Sequence, residues 1–140
     1  MKKSKHPKVF IQDTGPYRHE ILISIGATRE EILAYAKKEL TKESYKMARD
    51  CVNKTDCLEK IANGDNYGFA VLNGRYIYLF MKPYEDEWGF WENLLHELHH
   101  VVGFITELKR LEGEMEAQAY LQEYLFKEIR RKIQGLDPID

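Results

Sequence analysis

Residues 96–100 read His96-Glu97-Leu98-His99-His100, an H-E-x-x-H spacing. On a helix, residues four apart lie one above the other on one face, so His96 and His100 present two imidazoles to one ion. Glu97 then stands about 100° round the helix from His96. From there its carboxylate reaches a metal-bound water without joining the ligands. Metal-assisted hydrolysis uses this division of roles. Zn²⁺ lowers the pKa of its water to about 7, and a glutamate takes the proton and hands it to the leaving amine. The chain has only five histidines, and chance gives about 0.02 expected matches to the pattern in a sequence so composed.

A catalytic zinc takes three protein ligands and keeps one position open. His100 is followed by Val101-Val102-Gly103, the start of a metzincin pattern. The ligand that pattern needs three residues later is Thr106 instead, a poor donor for zinc, so the metzincin reading fails. Glu107 lies about 10 Å further along the same helix. The remaining donors are Glu112, Glu114 and Glu116, at the start of a following helical run. An antiparallel second helix can bring one of them back to the histidines, as gluzincins do. Glu114 and Glu116 are about 200° apart on a helix and cannot both face the metal. Periodicity leans to Glu114, whose face joins the Leu121 and Leu125 stripe.

The motif followed by Glu116-Ala117-Gln118-Ala119-Tyr120-Leu121 resembles a group of small phage- and prophage-encoded proteins. These carry H-E-x-x-H and, shortly after, E-x-x-A-Y with an amphipathic run. The likeness includes the strand-like segment upstream and spans roughly residues 66–130. More distantly, the arrangement is similar to the gluzincin domains of the ImmA/IrrE peptidase group. The resemblance implies a zincin-like fold, zinc ligands at His96, His100 and Glu116, and Glu97 as catalytic base. It moves the choice from Glu114 to Glu116. His99 departs from the pattern, where a small or apolar residue is commoner.

Other groups near the motif have plainer readings beside their chemical ones. His99 flanks the ligand face and reads as an exposed or packing histidine. Glu123 is placed either to orient a ligand imidazole or in solvent. Tyr120 and Tyr124 are hydroxyl donors for an oxyanion, or core aromatics. Trp88, Phe90 and Trp91 read as packing between the motif helix and a sheet, or as the lining of a substrate pocket.

The elements that must hold these residues follow from periodicity. Residues 19–25 read as a strand. Thr28 and Glu31 fit a capping box that opens a helix to about residue 40, and a second helix is expected over about 42–61. Residues 67–72 and 75–81 form a hairpin about Asn73-Gly74, with 75–81 a candidate edge strand for pairing with an extended peptide. The motif helix is expected over about 88–108, with Leu94, Leu98, Val101 and Ile105 as its core stripe. A last helix runs over about 114–133, and its Leu121, Leu125 and Ile129 serve the core or a dimer. The order predicts an α+β domain, a small antiparallel sheet packed against helices, with residues 1–140 as one domain.

With 140 residues, 44% hydrophobic and 31% charged, the chain can bury a full core. A net charge of −2 gives no basic surface for nucleic acid. No apolar run reaches the roughly 18 to 20 residues of a membrane span. The basic start lacks an apolar stretch behind it, which predicts no signal peptide and a cytoplasmic protein. Cys51 and Cys57 read as free structural thiols. The expected function is zinc-dependent hydrolysis of peptide or protein substrates. The alternatives are a zinc-stabilised phage accessory or interaction module without catalysis, and a metal-free helical interaction domain.

Overall fold

The computed structural model describes residues 6–135. Strands β1 (Val9–Asp13), β2 (Glu20–Ile25), β3 (Gly68–Asn73) and β4 (Tyr76–Met81) form one sheet in the order β1-β2-β4-β3. Helices α1 (Arg29–Glu39), α2 (Lys42–Lys54) and α3 (Cys57–Ala62) lie between β2 and β3 in sequence; α4 (Trp88–Lys109) and α5 (Met115–Gln134) follow the sheet. The α+β class expected from the sequence is met, but the sheet is mixed rather than antiparallel. β2 pairs with β4 in parallel, while β1 with β2 and β3 with β4 are antiparallel. A parallel pair needs a long crossover connection, and α1 to α3 supply it.

The crossover puts helices on both faces of the sheet. Ile21, Ile23 and Ile25 of β2 and Ile77, Leu79 and Met81 of β4 join α4 and α5 in one core. Leu22, Tyr78 and Phe80 point to the other face and pack with Ile32, Ala36, Ala48 and Val52 of α1 and α2. Strands covered on both faces read as near-continuous apolar runs, and Tyr76–Met81 (YIYLFM) is such a run. β4 is therefore internal, and the expectation that residues 75–81 form an edge is corrected. The edge beside it is β3.

Local chemistry explains most boundaries. The Thr28 hydroxyl accepts from Glu31 N while the Glu31 carboxylate accepts from Thr28 N, the capping box read from the sequence. The helix expected over 42–61 is divided. Thr55 is extended, and its hydroxyl accepts from Cys57 N at 3.2 Å, a local bond that competes with the helical ladder. Gly74 takes a φ of 66° in the hairpin turn, where a glycine is needed. β1 was not anticipated: five residues give too short a pattern, and its place comes from pairing with β2.

A polar tie holds α5 against β1. The Tyr124 hydroxyl donates to Asp13 Oδ1 at 2.6 Å, and Gly15 N donates to the same oxygen at 2.9 Å. Beside them, Lys132 Nζ donates to Oε1 of the buried Gln12 at 2.7 Å. The Tyr124 hydroxyl, then the Gly15 N–H, hold the Asp13 carboxyl below its ordinary 3.8, and the same bond pushes the Tyr124 phenol up to about 12. A depressed carboxyl stabilises the fold above its unfolded pKa, and that stability is lost as pH falls through the lower folded value. Tyr124→Phe is expected to lower stability by about 1 kcal/mol at neutral pH. It should also flatten the fall in stability below about pH 3.8. Urea unfolding at pH 7 and pH 3 checks both.

Candidate metal and catalytic site

The position of the site follows from the amphipathic pattern of α4. Phe90, Leu94, Leu98, Val101, Val102 and Ile105 are buried. With that stripe on the sheet, the helical period turns His96 and His100 to the opposite side, where both are exposed. Their ring centroids are 5.0 Å apart, with planes at 81°. His99 is exposed on the flank, its ring 6.3 Å from that of His100.

Glu97 faces neither the core nor open solvent. It is half-buried, and its Oε1 accepts from Ala70 N of β3 at 3.1 Å. The bond uses a backbone donor on the outer side of the edge strand, which has no partner strand among the described residues. Gly68 makes room for this approach. A Cβ at that position would stand 3.2 Å from Glu97 Cγ and 2.6 Å from Met81 Sδ. Burial raises the Glu97 pKa above its ordinary value, against the opposing pull of His96 and His100 and of the Ala70 N–H. The sequence reading found neither Gly68 nor Ala70. A glycine inside a strand pattern is the available signal, because it marks close approach of another group.

The structure thus brings His96, Glu97 and His100 together. The carboxylates considered for completing the site lie at the end of α4 and the start of α5. Glu116 is exposed in the first turn of α5, Glu114 is the residue before that helix, and Glu112 is exposed in the loop. Among the described residues no group of three or more His, Cys, Asp or Glu is gathered to hold an ion. Two adjacent imidazoles fit two corners of a tetrahedral zinc.

The remaining candidates have settled places. The Tyr124 hydroxyl is bound to Asp13, away from the histidines. Tyr120 is exposed and stacks on Tyr124 at 6.3 Å. Glu123 is exposed and lines a groove between α4 and α5. Phe90 is buried and Trp91 packs edge-on against it at 5.2 Å, as expected. Trp88 is 77% exposed, which corrects its assignment to the packing. It opens α4 outside the apolar stripe. Leu121, Leu125 and Ile129 are fully buried in the core, so they are not a free dimer face. Cys51 and Cys57 are buried free thiols; burial pushes Cys51 up to about 11.

No protein-family profile, curated protein or solved structure matches the chain. No helix among the described residues is long and apolar enough to cross a membrane.

Proposed function

We propose that this chain is a zinc-dependent metallopeptidase with a zincin-like active site on α4. His96 and His100 hold the ion, Glu97 is the general base, and the substrate is a peptide or protein. The observation that carries the reading is the paired imidazoles beside a half-buried carboxylate seated on the edge strand. Bound zinc supplies a water acidic enough to ionise near neutral pH. Glu97 would take the proton as general base, from its half-buried place beside the histidine pair. Glu116 is our assignment for the third ligand, on the resemblance to phage-encoded proteins.

A second reading has its own support. The Glu97 carboxylate already has a structural partner in Ala70 N. That bond suits a zinc-binding accessory protein in which Glu97 is dispensable to chemistry.

The ligands are tested by metal analysis after loading with ZnCl₂ and desalting. Wild-type protein is expected to keep about one zinc per chain, and His96→Ala or His100→Ala to lower the affinity by at least ~100-fold. Glu116→Gln should lower zinc affinity by about 10-fold or more if Glu116 is a ligand. Full retention in Glu116→Gln removes Glu116 from the ligand set, and a zinc-free wild-type protein ends both readings.

A further inference from the structure

We propose that the groove between α4 and α5 is a docking site for an acidic, amphipathic helical peptide segment. The groove has a volume of about 710 Å³ and is open to solvent. Leu95, Ala119 and Phe126 line its apolar part, while Lys127 and Arg130 contribute two cations against one anion, Glu123; Arg131 also lines it, with its charge paired to Glu128 at 2.5 Å. This is a local positive excess on a chain whose net charge is −2.

The residues at the groove explain its form. Leu95 is 41% exposed although it lies on the most apolar helix of the chain. Trp88 is seven residues earlier, on the same side of α4, and is 77% exposed. Trp91 is half-buried under the Arg130 guanidinium, 5.6 Å from its ring centroid, and meets Phe126 edge-on at 6.1 Å. An apolar trough with cations along one helix accepts the apolar stripe of a helix whose flanks carry Glu or Asp. A lipid surface is the weaker match, because the apolar residues line a concavity rather than a projecting face. The proposal does not depend on metal at His96 and His100, so it stands or falls separately from the peptidase reading.

Trp91 packs against Phe126 and lies under Arg130, two residues that line the groove, and so reports its occupation. The probe is an 18-residue amphipathic helix of Leu, Ala and Glu without aromatic residues, titrated into the full chain at low salt. The expected result is a saturable change in tryptophan fluorescence, confirmed by calorimetry and weakened by added salt. Lys127→Glu with Arg130→Glu should weaken the affinity by about 10-fold or more, and Lys127→Glu alone, at an exposed position, by less. Circular dichroism of both variants establishes that they are folded. Equal binding of the same peptide with Lys for Glu overturns the proposal. So does unchanged affinity in the folded double variant. Binding to phosphatidylserine vesicles without binding to the peptide also overturns it, as does a dimer dissociated by Lys127→Glu, which would give the groove to a second copy.

Discussion

Glu97→Gln is expected to lower peptide hydrolysis by about 10²- to 10⁴-fold while zinc content is unchanged. The substitution keeps the shape of the side chain, and the amide oxygen can still accept from Ala70 N, the bond Glu97 makes at 3.1 Å. What it removes is the ability to take a proton. In the metal-free protein burial raises the pKa of this half-buried carboxyl. The base works ionised, so wild-type activity should fall as pH drops through the pKa that Glu97 has in the zinc-loaded protein. The stability effect has the opposite sense to that at Asp13. A carboxyl whose folded pKa is raised binds its proton more tightly in the fold, so stability declines as pH rises from the unfolded value through the folded one. Metal-free Glu97→Gln should therefore melt no lower than metal-free wild type at neutral pH. Zinc analysis, a rate against a denatured-protein substrate and a thermal melt read the three consequences. An unchanged rate with zinc retained defeats the assignment of Glu97 as base. A zinc-loaded wild-type protein with no hydrolysis, together with a lower melting temperature in Glu97→Gln, supports the accessory reading instead.

Leu98→Ala is expected to cost about 2–5 kcal/mol, a large part of the 5–15 kcal/mol that holds a typical domain together. Leu98 is inside the motif yet fully buried, pointing into the core shared by the sheet, α4 and α5. Truncation leaves a cavity among residues that are themselves held by β2, β4 and α5, so little collapse is available. The melting temperature should fall by roughly 8–20 °C. His99→Ala, one residue on but exposed, should stay within about 0.5 kcal/mol of wild type. Thermal or urea unfolding measures both. Equal effects at the two positions would contradict the placement of α4 on the sheet. The contrast also bears on the site, because the burial of Leu98 sets the rotation of the helix and hence the outward aim of His96 and His100.

These two substitutions separate what was legible in the chain from what was not. The α4 stripe of Leu94, Leu98, Val101 and Ile105 recurs at the helical period, and the same period puts His96 and His100 on one face. The Thr28 capping box and the Asn73-Gly74 turn are equally local, since each depends on residues a few positions apart. The division of the helix at Thr55 is local too, but a hydroxyl bond two residues long leaves no mark on periodicity.

The sequence by itself determined the helix that carries the motif, the rotation that pairs its histidines and the hairpin before it. Only the tertiary structure decided which strand is the edge. That depends on β2 pairing in parallel with β4 across the α1 to α3 crossover, a long-range choice that sheet burial on both faces makes. The seat of Glu97 follows from that order, because Ala70 N is free for a carboxylate only if β3 has no outer partner and Gly68 has no Cβ. The positions of Glu116 and of the cations on α5 were decided in the same way. The sequence supplied their types and spacing, and the packing of α5 on α4 and β1 selected which of them face solvent, groove or core.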